Sequence, residues 1–437
     1  MNEVAFSYRG YELDPSGLLT CRYSLGDRRF VERADFGPGA WTGAPAREAA
    51  RLVYLLAGVS YYKTAAPPVV RVDVGLRPAE LAMLEAFYRR GLAEFAYRNR
   101  LDLAQVRIEA AVEDRAPADF VPPADRPLVL FGGGKDSIVT VEEVKARRPN
   151  AALFVVSPHT APFEAIERVV PITGLPVVRV TRRIDPQLLE PPARTGFLQG
   201  HVPVTGIIAA LAVLAATGAG HDAVVLSNER SASDPNLVVD GAAVNHQYSK
   251  SEDFEAAFAE VVAGALGPGL RVFSLLRPYA ELWVAERFAR LDRYHRAFRS
   301  CNRAFPIDPA KRLDRWCGEC DKCCFVDLIL APFLPRSELD AIFDGREPLA
   351  SPELLGRFEV FVGLSPDPKP FECVGEIEES RAAAVLATRR ADRASSPILS
   401  NLAVRLPPLL PETVAGLLAP KSPHRIPDEF APEDLLV

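Results

Sequence analysis

No stretch of this sequence stays apolar for the length that a bilayer crossing requires. The longest weakly polar run, Val204 to Gly220, is rich in Ala and Gly and carries Thr205 and Thr217, which suits a buried helix better than a membrane span. The N-terminus has no apolar stretch behind a basic one, its charges being Glu3, Arg9 and Glu12, so a secretory leader is not expected. Positive charge is also short: 51 Lys and Arg stand against 57 Asp and Glu, for a formal charge of −6. That balance excludes a global attraction to nucleic acid or to an anionic membrane and leaves only local basic patches. A dispersed disulfide framework is missing as well, because four of the 7 cysteines fall within Cys317 to Cys324. Such crowding points to metal binding in a reducing compartment. The expectation is a cytoplasmic protein acting on small molecules, with no nucleic-acid partner and no membrane insertion.

What is present is a globular composition, 48% apolar and 25% charged, in a chain of 437 residues that exceeds one ordinary core. Residues 1–40 alternate polar and apolar positions around the turn signals Asp14-Pro15-Ser16-Gly17 and Gly26-Asp27, and they read as short antiparallel strands. Helical spacing follows over Pro45 to Ala57 and over Pro78 to Arg98, where Leu81, Leu84, Phe87 and Leu92 recur. Val69 to Val74 between them reads as a strand. The proline-bearing segment Ala116 to Pro127 marks a linker. Beyond it strand and helix alternate: Leu128 to Phe131, the helix Ser137 to Arg147, Ala152 to Val156, the helix Pro162 to Val170, Val177 to Thr181, the helix Val202 to Thr217, and Ala223 to Ser227. The alternation predicts an α/β fold with a doubly wound parallel sheet. The expected organisation is an N-terminal α+β domain over residues 1–122, a nucleotide-binding domain over 123–335, and a helical, then loop-rich, C-terminal region over 336–437.

A strand that runs into Gly132-Gly133-Gly134 and opens a helix at Lys135-Asp136-Ser137 is built to hold phosphate. Glycines permit tight, left-handed turns that converge N–H groups on an anion. The helix N-terminus adds unpaired donors and a positive dipole end. Ser137 can donate its hydroxyl to a phosphate oxygen, and Lys135 can supply a charge or point to solvent. Asp136 is awkward beside phosphate unless a divalent cation lies between them, which points to magnesium. Neither the ordinary phosphate-loop spacing nor the dinucleotide fingerprint fits. The loop resembles that of the N-type ATP pyrophosphatases, Ser-Gly-Gly-x-Asp-Ser, with Gly132 standing where the leading Ser falls. This resemblance implies an adenine-nucleotide α-hydrolase-like fold with ATP as substrate. Gly132 through Ser137 would grip the pyrophosphate while AMP is left on a carboxylate or carbonyl oxygen. The strand end Val155-Val156-Ser157 is where backbone groups of that fold usually meet the base.

Cys317-Gly-Glu-Cys320-Asp-Lys-Cys323 sets thiols at the spacing of a zinc knuckle, and structural zinc takes four closed ligands. The fourth is either the adjacent Cys324 or the distant Cys301. Adjacent side chains diverge, so geometry favours Cys301. The 7-cyano-7-deazaguanine synthases carry Ser-Cys upstream of a Cys-Gly-x-Cys-x-x-Cys run and bind zinc with those four. Ser300-Cys301 and the run from Cys317 to Cys323 resemble that arrangement, which implies a structural zinc ion at Cys301, Cys317, Cys320 and Cys323.

Three further stretches are more polar than packing demands: Gly196 to His201, Ser227 to Ser231 and Asn245 to Lys250. The second follows a predicted strand, where ligands of parallel sheets gather. Near the end, Lys369-Pro370-Phe371-Glu372-Cys373-Val374-Gly375 sets a lone cysteine beside a carboxylate. With Gly200-His201-Val202-Pro203, Asn228-Glu229-Arg230-Ser231-Ala232, Asn245-His246-Gln247-Tyr248-Ser249 and Trp316-Cys317, these pieces resemble one family over nearly the whole chain. It is that of the ATP-dependent UDP-N-acetylmuramoyl-L-alanyl-L-glutamate epimerases of peptidoglycan synthesis. The resemblance implies that ATP adenylates the α-carboxylate of the terminal L-glutamate, that the acidified α-proton is exchanged, and that water releases AMP and a D-glutamate product. Epimerisation needs acid and base groups about the α-carbon, and the candidates are Cys373, His246, Tyr248, Lys250 and His201. Asn228, Glu229 and Arg230 are the candidates for substrate binding. Rival readings are an adenylating ligase or synthase, a tRNA-modifying pyrophosphatase, and a zinc-stapled binding module whose loop has decayed.

Overall fold

The computed structural model describes residues 4–123, 125–190, 195–421 and 423–435. The N-terminal alternation becomes an antiparallel meander of β1 (Ala5–Leu13), β2 (Leu18–Leu25) and β3 (Arg28–Asp35). Its first turn is set by Asp14, whose carboxylate accepts from the N–H groups of Ser16 and Leu18 at 2.8 and 3.1 Å. Two short strands, β4 (Val69–Arg71) and β5 (Arg107–Glu109), add in parallel beyond β1; β4 is shorter than the expected Val69 to Val74.

The second half of the sheet comes from β6 (Pro127–Leu130), β7 (Ala152–Pro158), β8 (Val177–Arg183) and β9 (Ala223–Leu226). After a small separate hairpin of β10 (Leu237–Val239) and β11 (Ala242–Val244), it is completed by β12 (Arg271–Ser274). The spatial order is β12-β9-β6-β7-β8-β3-β2-β1-β4-β5 in one ten-stranded sheet. All neighbours from β12 to β8 are parallel, so this part is α/β as the alternation predicts. The meander is joined to it edge to edge, β3 pairing antiparallel with β8 through Ala34 and Arg182.

Period-2 alternation along these strands sends neighbours to two cores. Leu128, Phe154 and Val224 face one core with the helices Ala44–Ala57, Val204–Ala219 and Glu252–Leu266. Val129, Leu153 and Val225 face the other with Lys135–Arg147, Glu281–Ala289 and Asp321–Leu330. Burial on both faces is why these strands read as continuous apolar runs. The chain leaves β6 toward β7 on one side and returns to β9 on the other. The C-terminal end of β6 is therefore a topological switch point, where open α/β sheets bind ligands. Among the described residues, no helix is long and apolar enough to cross a membrane.

Two expected helices are corrected. Pro78 to Arg98 is two helices, Pro78–Arg89 and Ala93–Asn99. The break holds Gly91, where a Cβ would lie 2.3 Å from the Phe87 carbonyl oxygen. Pro162 to Val170 contains only the turn Glu164–Glu167, and a second turn follows at Val170–Thr173. Pro171 lacks the N–H that would carry one into the other.

The joint between β3 and β8 is held by a buried ion pair, Arg182 Nε donating to Glu32 at 2.7 Å, with the Tyr61 hydroxyl donating to the same carboxylate at 2.9 Å. Removing one partner of such a pair costs about 3–5 kcal/mol, whereas replacing both with apolar groups is often close to neutral. Glu32→Ala is therefore expected to lower the urea midpoint by that equivalent, and Glu32→Leu with Arg182→Met to recover most of it.

Candidate active site

The glycine loop expected to hold phosphate leaves β6 through Phe131 and Gly132 and enters the helix Lys135–Arg147 at Gly134. Gly133 sits at φ +72°, and a Cβ there would come within 3.1 Å of the Ala165 carbonyl oxygen. At Gly134 a Cβ would lie 2.9 Å from Ser300 Oγ. Gly132 is different: a Cβ would meet nothing within 4 Å, so neither space nor backbone forces glycine where the resembling loops carry Ser. Ser137 Oγ donates to the Gly134 carbonyl at 2.9 Å, bracing the turn.

Lys135 does not reach solvent. It is 1% exposed and its ammonium donates to Asp136 and to Glu281, a carboxylate that sequence reasoning missed. Glu281 opens the helix Glu281–Ala289, and Glu229 follows β9. One oxygen from each of Asp136, Glu229 and Glu281 lies within 4.8 Å of the others. Three carboxylates are a hard, anionic donor set that suits magnesium. Burial opposes the charge of Lys135, but Asp136 and Glu281 outweigh it and hold the ammonium above its ordinary value. Burial likewise opposes ionisation of Asp136, yet Lys135 and, more distantly, Lys322 and Lys250 hold it below the usual range. Glu281 goes the other way: burial, with Asp136 and Glu229 beside it, pushes its carboxyl up against the pull of Lys135.

Lys250 and Lys322 lead from these carboxylates to the lone cysteine. Lys250 Nζ donates to Cys373 Sγ at 3.3 Å, and Lys322 Nζ to the Cys373 carbonyl. His246 is within hydrogen-bonding reach of the same thiol. On its other side His246 Nδ1 meets Glu94 at 2.5 Å, and its ring lies 4.1 Å from that of His201. Burial would raise the Cys373 thiol, but Lys250, His246 and Lys322 bring it down to about 7. Burial would lower His246, but Cys373 and Glu94 bring it up to about 9. Burial and the neighbouring His246 depress His201 to about 3.

Cys373 and His201 thus come together with His246 and Lys250 of one short segment, although the chain separates these three places widely. Tyr248 does not join them. Its ring packs on Phe254 and under the Arg90 guanidinium, 4.8 Å away. Tyr248 lines instead a cavity of about 430 Å³ with Arg90, Arg230, Arg277 and Lys421. Asn228 and Glu229 are buried at the end of β9, while Arg230 faces this cavity 4.0 Å from Glu376. An apolar recess of about 200 Å³ opens at the end of β7, lined by Val156, His159, Phe163, Ile208 and Ile307.

The sulfurs of Cys301, Cys317, Cys320 and Cys323 gather within 4.8 Å. The spacings Cys301–Cys320, Cys317–Cys323 and Cys320–Cys323 are 3.8, 3.5 and 3.5 Å. Tetrahedral zinc with Zn–S bonds of about 2.3 Å needs sulfurs about 3.8 Å apart, so the donor set fits. Cys324 Sγ turns toward the Glu319 carbonyl, 4.0 Å away, and is not one of the four. Cys301→Ser is expected to lower zinc content and the thermal midpoint, measured by atomic absorption and calorimetry. Cys324→Ser should leave the zinc content unchanged.

Residues 2–275 match the MurL N-terminal domain and residues 297–415 the MurL C-terminal domain. A protein of Xanthomonas oryzae pv. oryzae (strain MAFF 311018), named UDP-N-acetyl-alpha-D-muramoyl-L-alanyl-L-glutamate epimerase, is 40% identical over 91% of this chain and 88% of its own length. Proteins of the same name from Salinispora tropica and Micromonospora are each 38% identical over 98% of this chain, and over 94% and 97% of their own lengths. With both domain matches and near full-length similarity, the chain belongs to the MurL epimerase family.

Proposed function

We infer that the protein is an ATP-dependent epimerase that converts the terminal L-glutamate of UDP-N-acetylmuramoyl-L-alanyl-L-glutamate to D-glutamate, through an acyl adenylate. One observation carries this: the phosphate loop and the Cys373–His246 pair share one polar seam, bridged by Lys250 and Lys322. An adenylating loop beside an acid–base pair is the combination that an α-carboxylate-activating epimerase needs.

In this mechanism the loop from Gly132 to Ser137 holds the β- and γ-phosphates, and the apolar recess at Val156 and Phe163 takes the adenine. A magnesium ion at Asp136, Glu229 and Glu281 would neutralise polyphosphate charge, and zinc on the four cysteines would staple the fold. The substrate α-carboxylate oxygen attacks the α-phosphorus of ATP, forming a C–O–P link as the bond to pyrophosphate breaks. The adjacent C–H is then far more acidic, since its enolate no longer carries a second full negative charge. The substrate α-carbon enters between Cys373 and His246 and replaces their mutual contact; Cys373 as thiolate then takes the α-proton, and the His246 imidazolium returns one to the opposite face. Water attacks the acyl carbon, and AMP leaves with the D-glutamate product. The cavity with Arg230 receives an anionic part of the nucleotide peptide, and Tyr248 serves binding there.

The test is incubation with magnesium, ATP and the nucleotide dipeptide in deuterated water, following AMP, pyrophosphate and deuterium at the glutamate α-carbon. Stoichiometric AMP with deuterated D-glutamate is expected. Asp136→Asn should lose both signals, and Cys373→Ala should lose exchange by about 100-fold or more while still releasing pyrophosphate. AMP without inversion would replace the epimerase by an adenylating ligase. The active pair is a thiolate, formed above pH about 7, with an imidazolium, lost above about 9. The exchange rate should therefore rise through the first value and fall through the second.

A further inference from the structure

The acid–base pair is held from a part of the chain that contributes nothing to the phosphate loop. Glu94 lies on the short helix Ala93–Asn99, next to the Gly91 break, and is 4% exposed. One of its oxygens meets His246 Nδ1 at 2.5 Å, and the other accepts from Arg98 Nε at 2.6 Å. The His246 backbone N–H is fixed separately, donating to Asn236 Oδ1 at 2.8 Å. With Nδ1 committed to Glu94, Nε2 is the ring nitrogen left for Cys373. The same helix grips the cysteine loop: Arg98 stacks 4.9 Å from the Phe371 ring centroid, and Tyr97 packs on that ring at 5.9 Å.

We propose that Glu94 is a positioning residue for proton transfer: through His246 Nδ1–H it fixes the ring orientation and the charged form that face Cys373. The proposal rests on the proton-transfer roles assigned above to Cys373 and His246. A buried carboxylate on one imidazole nitrogen selects which nitrogen carries the working proton, as outer partners do for histidines at metal sites. No bond to substrate is made or broken by Glu94; its proton inventory is unchanged through the cycle.

The groups that face His246 decide the sign of the effect. Glu94 and the Cys373 thiolate favour the imidazolium. His201, which stacks on the ring, and Lys250, which sits on the thiol, are the neighbours that do not. Lys63 is farther off, donating to the Gly200 carbonyl at 2.6 Å, and Lys322 donates to the Cys373 carbonyl. Arg98 shares Glu94 from the solvent side. Removing the Glu94 charge leaves Cys373 as the only anion on the ring among these groups, so His246 must lose its proton at lower pH.

The experiment compares the full-length protein with Glu94→Gln and Glu94→Asp. In Glu94→Gln, deuterium entry at the α-carbon should fall about 10- to 100-fold as a loss in kcat, and the alkaline limb of its pH profile should move to lower pH. First-turnover pyrophosphate release should persist, and Glu94→Asp should recover part of the exchange rate. The second readout needs no activity: nitrogen-15 histidine NMR, with the His246 signal assigned by its absence in His246→Gln. His246 should titrate at lower pH in Glu94→Gln than in the unaltered protein. Unchanged exchange and an unchanged titration would overturn the proposal. So would equal loss of pyrophosphate release and exchange without rescue by Asp, which is the signature of a merely structural role. If the unaltered protein releases no AMP, the proposed function fails, while the titration still decides whether Glu94 controls His246.

Discussion

Three carboxylates gathered at the mouth of a helix repel one another, and they coexist here because ammonium groups are buried with them. Two like charges about 4 Å apart at an effective dielectric of 20 interact by about 4 kcal/mol, a large part of the whole stability of a domain. Lys135 lies between Asp136 and Glu281 and offsets part of that repulsion. The cover is incomplete, since Glu281 still rises above its ordinary value under burial, Asp136 and Glu229. Lys250 and Lys322 extend the same balance to Cys373 and bring its thiol into the neutral range. One electrostatic constraint thus runs from the glycine loop to Cys373 and His246.

The fold keeps those ends in register through short, specific ties. Ser300 packs against Gly134 of the loop, Cys301 joins the sulfur cluster, and Asn302 Nδ2 donates to both oxygens of Glu372, next to Cys373, at 2.8 Å. Three consecutive residues therefore connect loop, sulfur cluster and thiol. From the other side, the ten-stranded sheet carries the N-terminal meander across the β3–β8 joint. The helix Ala93–Asn99, which follows that meander in the chain, reaches His246. A site assembled from such distant segments depends on the integrity of the whole sheet.

The parts readable from sequence are those whose chemistry is local. A strand, three glycines and a helix start declare a tight strand-to-helix turn within seven residues, Phe131 to Ser137. Cysteine spacing likewise marks a knuckle, and divergence of adjacent side chains already favours Cys301 over Cys324. His201, His246, Lys250 and Cys373 could be named singly for their polarity, but Tyr248 carries the same polar signal and packs elsewhere. Glu281 and Lys322 sit on helices whose apolar spacing gives no hint of charge burial. Glu94 is hidden further, because its orientation depends on the break at Gly91 inside what reads as a continuous helix. The β3–β8 pairing is equally silent: periodicity gives each strand its faces but not its partner.

If ATP activates the substrate's own α-carboxylate, as proposed, the carboxylate oxygen must pass into AMP, and oxygen tracing follows it there. A nucleotide dipeptide carrying oxygen-18 in the glutamate α-carboxylate is turned over with magnesium and ATP in ordinary water, and the AMP is weighed by mass spectrometry. Adenylation followed by water attack on the acyl carbon leaves one labelled oxygen in the AMP phosphate. AMP formed without the label, while D-glutamate product accumulates, would contradict the acyl adenylate.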